Sequence, residues 1–156
     1  MPCGRCPMAD LATTLLFELT VDFGTQDMRM QVGNGGRGKR TVAPAASGTF
    51  EGPHLRGEVV PPWPDYITER GDGVIEHEIR AVLRTHDGAL IYMDYEGIGH
   101  RQPLGPLRES ESFYFRTLIR FETGDARYAW LNRVLAVGVA HPLAGAGLGW
   151  RVHAIL

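Results

Sequence analysis

The residue types best suited to catalysis are two carboxylates, Glu51 and Asp65, in segments rich in glycine, proline and aromatic residues. A carboxylate in an apolar pocket has its pKa raised by desolvation, and it then serves as a general acid or base near neutral pH. Tyr92 and Asn132 are neutral donors that suit a developing enolate or phenolate oxygen. The predicted catalytic set is therefore Asp65, Asn132, Tyr92 and Glu51, acting by proton transfer on a carbonyl compound.

Aromatic and small polar residues form the predicted ligand-binding set, because small-molecule sites are mostly apolar with a few convergent polar groups. Its members are Trp63, Tyr66, Phe115, Thr117, Tyr128 and Trp130. A structural role is the alternative for every candidate. Glu51 would then pair with Arg56 or with an arginine across the sheet, and Asp65 would cap a turn. Tyr92 and Trp130 would pack in the core.

Other kinds of chemistry find little support in the sequence. The histidines do not fall into a metal-ligand spacing, although two or three could still converge across strands: His77, His86, His100, His141 and His153. The glycine-rich segment 31–40 lacks the order of a phosphate-binding loop, because Lys39 is followed by Arg40. No serine or cysteine stands in a nucleophile motif. We predict no metal and no cofactor.

Both cysteines lie at the start of the chain, as Cys3 and Cys6 of a single C-x-x-C motif. A zinc ribbon needs two such pairs, and a thioredoxin-like motif needs a strand before it and a helix after it. The segment also lacks the features of a signal peptide. We expect residues 1–10 to be a frayed N-terminus, residues 11–156 to be one domain, and the protein to be cytoplasmic.

Composition excludes several classes of partner. The 16 basic and 18 acidic residues give a formal charge of −2, so no basic footprint for nucleic acid or an anionic membrane is present. No apolar run approaches the roughly 20 residues of a membrane-spanning helix. The chain has 20 glycines and 10 prolines without any repeat, and this favours many turns and short strands.

Two hairpins are predicted from turn signals between strand-like runs. In the first, Asp87-Gly88 closes a pairing of Thr85 with Leu90, and this register places Tyr92 on the same face as His77. In the second, residues 113–122 pair with 127–139, so that Thr117 faces Asn132. The segment 61–66 is predicted to be a rigid loop or an edge, because proline cannot donate to a sheet.

Alternation gives each hairpin one apolar, aromatic face and one charged face. We expect the apolar faces to point inward, with polar groups among the aromatic residues around a ligand. In the alternative, the charged faces point inward and the aromatic face packs on a partner subunit, at a large desolvation cost. Five to eight short strands predict an all-β fold, a single antiparallel barrel or sandwich; a barrel of about eight strands can enclose one small ligand.

Four ordered strings carry a family resemblance: residues 48–59 (GTFEGPHLRGEV), 83–92 (LRTHDGALIY), 114–124 (YFRTLIRFETG) and 127–133 (RYAWLNR). Together they resemble domain-of-unknown-function family 3237, a group of small bacterial and fungal proteins, over about residues 15–156. The resemblance implies a lipocalin-like or allene-oxide-cyclase-like antiparallel β-barrel that self-associates. It implies no established reaction.

The chain departs from that family's pattern at residues 62–66. The family usually continues Gly-Gly-Ala-Asp-Trp there, whereas this sequence has Pro-Trp-Pro-Asp-Tyr. The acidic residue, Asp65, is kept, while the flexible glycines are replaced by stiffer and bulkier residues. We interpret the change as an adjustment of the pocket mouth to a particular ligand.

The favoured function is a cofactor-free isomerase or cyclase acting on a hydrophobic or aromatic carbonyl compound. One alternative is a carrier barrel that binds such a molecule without chemistry, and a second is an oligomeric interaction protein. A homo-oligomer, with a dimer favoured, is expected in each case. The enzyme prediction requires Asp65 and Asn132 to open onto one cavity of at least roughly 300 Å³.

Overall fold

Eleven antiparallel β-strands account for most of the described chain, which in this computed structural model comprises residues 10–107, 113–145 and 147–156. The predicted frayed terminus, with Cys3 and Cys6, lies almost entirely outside the described residues. The strands are β1 Thr13–Asp22, β2 Met30–Gly35, β3 Gly38–Pro44, β4 Ser47–Glu51, β5 Arg56–Val60, β6 Pro64–Glu69, β7 Ile75–Thr85, β8 Leu90–His100, β9 Tyr114–Glu122, β10 Ala136–Pro142 and β11 Gly147–Ile155. Three short 3-10 helices are Gln26–Met28, Gly105–Leu107 and Ala129–Arg133.

Eight of these strands close into a barrel. Their order is β7-β5-β4-β1-β11-β10-β9-β8, and β8 pairs with β7 to complete the circle. The predicted all-β, antiparallel barrel is therefore confirmed. In the part of the chain that is described, no helix has the length and apolar character needed to cross a membrane.

The remaining three strands, β2, β3 and β6, form a flap that extends the sheet at one end of the barrel. Strand β7 exchanges partners along its length: residues 75–79 pair with β6, and residues 82–85 pair with β5. Pro61 and Pro62 occupy the break between β5 and β6 and are joined by a cis peptide bond. Strand β6 lies between β3 and β7, so the prediction of a loop or an edge is wrong for residues 64–66. Pro64 is tolerated because it is the first residue of the strand.

The apolar faces of the strands point into the barrel, as expected. Ile79 and Leu83 on β7 and Phe121 on β9 are almost completely buried, whereas Arg84 and Arg120 are exposed to solvent. The alternative with charged faces inward is excluded. Burial of this apolar surface is the main driving force for closing the barrel.

The register of the first hairpin differs from the prediction by one residue. Arg84 pairs with Leu90 and Val82 with Tyr92, because the turn has three residues, with Gly88 at φ +87°. A shift of one residue moves every side chain of a strand to the other face. Tyr92 therefore lies on the outer face of β8, and the prediction of an inward Tyr92 is wrong.

The second predicted hairpin is interrupted. Residues Ala129–Arg133 form a 3-10 helix, and β10 begins only at Ala136, opposite Ile119 of β9. Local hydrogen bonds favour this turn, since the Asp125 carboxylate accepts from the Arg127 backbone N–H at 3.0 Å. The predicted pairing of Thr117 with Asn132 is wrong, and Thr117 lies opposite Gly138.

Candidate active site at the open end of the barrel

A cleft of about 710 Å³ opens between the flap and the neighbouring end of the barrel. Apolar side chains from separate parts of the chain line it, among them Phe23, Phe113, Phe115 and Leu148. This volume lies within the usual range for small-molecule sites, roughly 300 to 1,000 Å³. The cleft is thus large enough for a ligand of several rings.

Asp65 and His77 form a hydrogen-bonded pair at the cleft, with 2.7 Å between Asp65 Oδ2 and His77 Nδ1. They are diagonal neighbours on the inward face of the sheet, since Asp65 lies opposite Ile79 and His77 lies opposite Ile67. The Asp65 side chain is 3% exposed and the His77 side chain 11%. A carboxylate and an imidazole are therefore held together with very little water around them.

The hydrogen bond determines which imidazole nitrogen is available. An ionised carboxylate only accepts hydrogen bonds, so Nδ1 of His77 donates and Nε2 of the neutral ring keeps its lone pair. A Cβ added to Gly99, a residue of the cleft wall, would lie 3.5 Å from Nε2. Nε2 thus lies beside Gly99, and both residues belong to the cleft lining.

Phe115 fixes the other side of the imidazole by stacking on it, with ring centroids 4.2 Å apart. The two residues belong to β7 and β9, and β8 runs between them. Strand β8 presents Gly97 and Gly99 at this point, so no side chain separates the rings. A Cβ on Gly97 would come within 2.8 Å of the Phe115 ring.

An aromatic layer underlies the cleft. Trp150 meets Phe115 edge-on at 5.5 Å and Phe23 at 6.4 Å, and Phe23 in turn meets Trp63. Tyr95 lies beside the same layer, and burial, with a smaller contribution from the Asp65 charge, raises its pKa well above the usual range. Tyr95 therefore remains a neutral phenol at any physiological pH.

Four buried polar atoms near this layer and in the adjoining core have no hydrogen-bond partner among the described residues. They are Asp65 Oδ1, Trp63 Nε1, Thr117 Oγ1 and Trp150 Nε1. Buried polar groups without protein partners are uncommon in folded proteins. Of the four, Asp65 belongs to the cleft itself and thus has spare hydrogen-bonding capacity there.

Charged side chains surround the apolar walls. Arg29, Lys39 and Arg101 line the cleft, together with one further carboxylate, Glu69, beyond Asp65. Among the described residues, no group of three or more His, Cys, Asp or Glu side chains is placed to hold a metal ion. The described cleft therefore combines an apolar floor, a carboxylate–imidazole pair and a cationic rim.

Of the residues predicted to contact a ligand, only Phe115 lines the cleft, and of the predicted catalytic residues only Asp65 does. Trp63 and Thr117 are buried beneath or beside it, at 2% exposure each. Tyr66 alternates with Asp65 and is 40% exposed, away from the cleft.

Three other candidates lie at the opposite end of the barrel, around the turn after β7. Asn132 accepts from the Thr123 backbone N–H at 2.8 Å and donates to the Thr123 carbonyl at 2.9 Å. The Tyr128 hydroxyl bonds to the Asp87 carboxylate, and Trp130 packs edge-on against His54. The prediction that Asp65 and Asn132 open onto one cavity is therefore wrong.

Glu51 and Tyr92 are also distant from the cleft. Glu51 is exposed at the end of β4, opposite Arg56 of β5, and Tyr92 lies opposite Glu122 on the outer face. His77, by contrast, is not among the residues predicted from the sequence. Its place between Ile75 and Ile79 on an alternating strand is the signal that could have selected it, since it is the ionisable residue on an inward face that is apolar apart from Thr85.

The fold and the cleft define a small antiparallel β-barrel with a ligand-sized opening at one end. The match to known families agrees with this description. The chain belongs to the family described as Protein of unknown function (DUF3237), whose model matches residues 11–154. The resemblance noted in the sequence is thus confirmed.

Relatives and solved structures extend the comparison. UPF0311 protein RPA1785 of Rhodopseudomonas palustris is 34% identical over 137 residues, which cover 83% of this chain and 88% of that one. The crystal structure of RPA1785 has a TM-score of 0.82 at 32% identity and covers 96% of this chain and 100% of its own. A β-barrel-like protein from Acinetobacter baumannii has a TM-score of 0.84 at 28% identity, covering 96% and 98%.

A more distant structure, described as an enzyme from Penicillium herquei, has a TM-score of 0.73 at 21% identity. It covers 99% of this chain and 100% of its own. At this identity the likeness is one of fold alone.

Proposed function

We propose that the protein binds a hydrophobic or aromatic carbonyl compound in the cleft and catalyses a cofactor-free isomerisation or cyclisation by proton transfer. The observation that carries the proposal is the Asp65–His77 pair at the cleft, joined at 2.7 Å. His77 acts as the general base and Asp65 as its positioning residue. This assignment replaces the predicted roles of Asn132, Tyr92 and Glu51.

The reaction begins with Nε2 of His77 accepting a proton from the carbon next to the substrate carbonyl. The electron pair of that C–H bond moves into an enolate, and the Asp65 carboxylate stabilises the imidazolium that forms. The imidazolium then returns the proton to a different atom of the substrate, which completes an isomerisation. In a cyclisation, the enolate carbon or a hydroxyl oxygen deprotonated by His77 instead adds to a second carbonyl or a conjugated double bond of the same molecule. The π bond of that acceptor breaks as the ring closes, and the imidazolium returns the proton to the anion that forms.

The surroundings of the pair support this chemistry. The stack on Phe115 leaves the imidazole little freedom to rotate, and a fixed base loses little entropy in reaching the reactive geometry. Apolar walls limit the water that competes for Nε2. The Penicillium herquei protein contributes only its fold to the comparison, but because it is described as an enzyme, catalysis is compatible with this fold.

Exchange of carbon-bound protons tests the proposal without knowledge of the natural substrate. The full chain is incubated in D₂O with 2-tetralone, a neutral aromatic ketone, and loss of its α-proton signal is followed by NMR. We expect His77→Gln to reduce the catalysed rate by about 10² to 10⁴, the usual range for a general base. Asp65→Asn should reduce it less, because the ring remains but its tautomer is no longer fixed.

His100→Gln is the matched control, because His100 also lines the cleft but stacks on Tyr114 and accepts from the Gln102 backbone N–H. It should leave the exchange rate within about twofold of the wild-type value, since a non-catalytic residue contributes little to the barrier. Equal rates for the wild type and His77→Gln would contradict a role of His77 as base.

A carrier without chemistry is the second candidate, favoured by the size and apolar lining of the cleft. Saturable binding of 2-tetralone without any catalysed exchange would favour the carrier over the enzyme. Cytoplasmic location and a homodimer remain predictions that belong to either function.

A further inference from the structure

We propose that the ligand of this cleft is an anionic amphiphile, an aromatic or otherwise apolar body that carries a carboxylate. The inference deepens the proposed function, on which it rests for the chemistry at His77. The cationic rim binds the carboxylate, and the aromatic floor binds the body.

The cationic rim contains basic side chains that lack a protein counter-ion. Within the described parts of the chain, neither Arg29 nor Lys39 has a carboxylate oxygen within 4 Å. Lys39 lies directly opposite Glu69 in the β3–β6 register, yet the two form no ion pair. Arg101 is held over the Phe113 ring, with its guanidinium carbon 5.5 Å from the ring centroid. Three positive charges and the Glu69 carboxylate thus surround the cleft, and among the described residues Arg29 and Lys39 have no ion-pair partner.

Basic residues elsewhere in the fold often do have such partners. Arg84 binds Glu58 at 2.9 Å, and Arg127 binds both Asp87 and Asp125. The net charge of the whole chain is −2, so a cluster of cations without an ion-pair partner in the described part of the chain is opposite in sign to the protein as a whole. Such a cluster attracts anions to the cleft and slows their departure.

The two ends of the cleft impose one orientation on this ligand. A carboxylate placed next to Asp65 would be repelled by a buried charge with little water to screen it. At the rim, the same carboxylate meets Lys39 and Arg29. The apolar body then lies along Phe113 and Phe115, and a carbon remote from the carboxylate reaches His77.

Binding of two probes of nearly the same shape, one anionic and one neutral, tests the inference. 2-Naphthoate and its neutral analogue 2-naphthamide are titrated by calorimetry into the full chain, without any need for turnover. We expect wild-type protein to bind 2-naphthoate roughly tenfold more tightly, about 1.4 kcal/mol. Arg29→Ala/Lys39→Ala should reduce this preference to about threefold or less, with little change for 2-naphthamide.

Arg40→Ala is the matched control, because Arg40 follows Lys39 on β3 and alternates to the face that does not line the cleft. It should keep the wild-type preference. Lys39→Met is a second variant, since it removes the charge but keeps an apolar stem of similar length.

Several results would overturn the inference: equal affinity of the wild type for both probes, no binding of either, or a preference that survives loss of Lys39 and Arg29. An equal loss of affinity for both probes in Arg29→Ala/Lys39→Ala would also overturn the inference, because it would indicate that the substitutions disturb packing and not charge. The outcome is separable from that of the proposed function. His77-dependent exchange of 2-tetralone without a preference for 2-naphthoate would support the proposed catalysis and contradict the anionic ligand. A preference for 2-naphthoate without exchange would support the anionic ligand and contradict the catalysis.

Discussion

His77 and Phe115 stack with their ring planes 26° apart although they come from strands that are not neighbours. The contact exists because the intervening strand carries glycine at both Gly97 and Gly99, so that the two rings meet over bare backbone. One face of the imidazole is thereby covered by an aromatic ring, while its Nδ1 is bound to Asp65. The orientation of the imidazole therefore depends most on the absence of a side chain at Gly97.

Substitution of Gly97 should displace Phe115 from its stack on His77. Gly97→Ala places a Cβ 2.8 Å from the Phe115 ring and 2.9 Å from Thr117, so the ring must shift. We expect destabilisation of about 1–3 kcal/mol, as for other overpacked sites, together with a change in the NMR shifts of the His77 ring. Gly99→Ala is the control, since its Cβ meets nothing nearer than 3.5 Å. Equal effects of the two substitutions in urea unfolding would contradict this explanation.

Asn132 should contribute to the stability of the fold and not to ligand binding in the cleft. Asn132→Ala removes two hydrogen bonds to the Thr123 peptide, and we expect a loss of about 1–2 kcal/mol in unfolding free energy. Asn132→Asp keeps the acceptor for the Thr123 N–H, so it should lose less. Binding of 2-naphthamide should be unaffected by either change. Weaker probe binding in Asn132→Ala would contradict the separation of Asn132 from the cleft.

Glu51 and Tyr92 should be dispensable for binding. Glu51→Gln and Tyr92→Phe alter an exposed strand end and the outer face of the barrel, respectively. Because neither residue lines the cleft, we expect both variants to bind 2-naphthoate within about twofold of the wild type, the effect of a typical surface substitution. A larger change in affinity, measured by calorimetry, would contradict their placement outside the binding site.

Acidic pH should weaken the hydrogen bonds that Arg127 donates to the Asp125 carboxylate. Hydrogen bonds from Arg127 lower the pKa of Asp125 from 3.8 to about 2. Because the folded pKa lies below that of the unfolded chain, the stabilisation is complete above about pH 5 and lost as the pH falls through 2. The difference in urea midpoint between the wild type and Asp125→Asn should therefore shrink over this range. A difference that stays constant from pH 6 to pH 2 would contradict the assignment.

Alkaline pH should lower the stability of the folded protein through the ionisation of Tyr95 in the unfolded chain. Burial, and then the Asp65 charge, raises the pKa of Tyr95 well above 10.0. Above pH 10 the unfolded chain loses this proton while the folded chain keeps it, so the folded state loses stability as the pH rises. Tyr95→Phe should be less sensitive to pH in this range, as measured by denaturant unfolding together with tyrosinate absorbance. Identical alkaline profiles for the two proteins would contradict the burial of an un-ionised Tyr95.

The choice of a barrel over a sandwich comes from the family resemblance, whereas the sequence predicts apolar inward faces because alternation is a local property of each strand. It predicts the register of β7 and β8 wrongly because one extra turn residue before Ala89 reverses the face of all of β8. The 3-10 helix at Ala129–Arg133 depends on hydrogen bonds to Asp125 and Thr123 that alternation does not reveal.

The candidate site likewise has one residue that the sequence predicts and one that it does not. Asp65 stands in a motif segment that predicts a role for it, whereas His77 is 12 residues away and becomes its partner only through the pairing of β6 with β7. Asn132 stands in a motif segment as well, but that segment folds at the opposite end of the barrel. The contact of Asp65 with His77 and the distance of Asn132 from the cleft both depend on the order of the strands, which the sequence alone does not reveal.

The partner exchange along β7 also has an evolutionary consequence. The flap joins the barrel through one hydrogen-bonded ladder, that of β6 with β7, while the closed ring of eight strands is complete without it. Lys39 and Asp65 belong to the flap, and His77 and Phe115 belong to the ring. Changes in the flap therefore alter what the cleft accepts with little effect on the ring. We expect flap residues other than Asp65, the partner of His77, to diverge faster among members of the family than the ring residues His77 and Phe115.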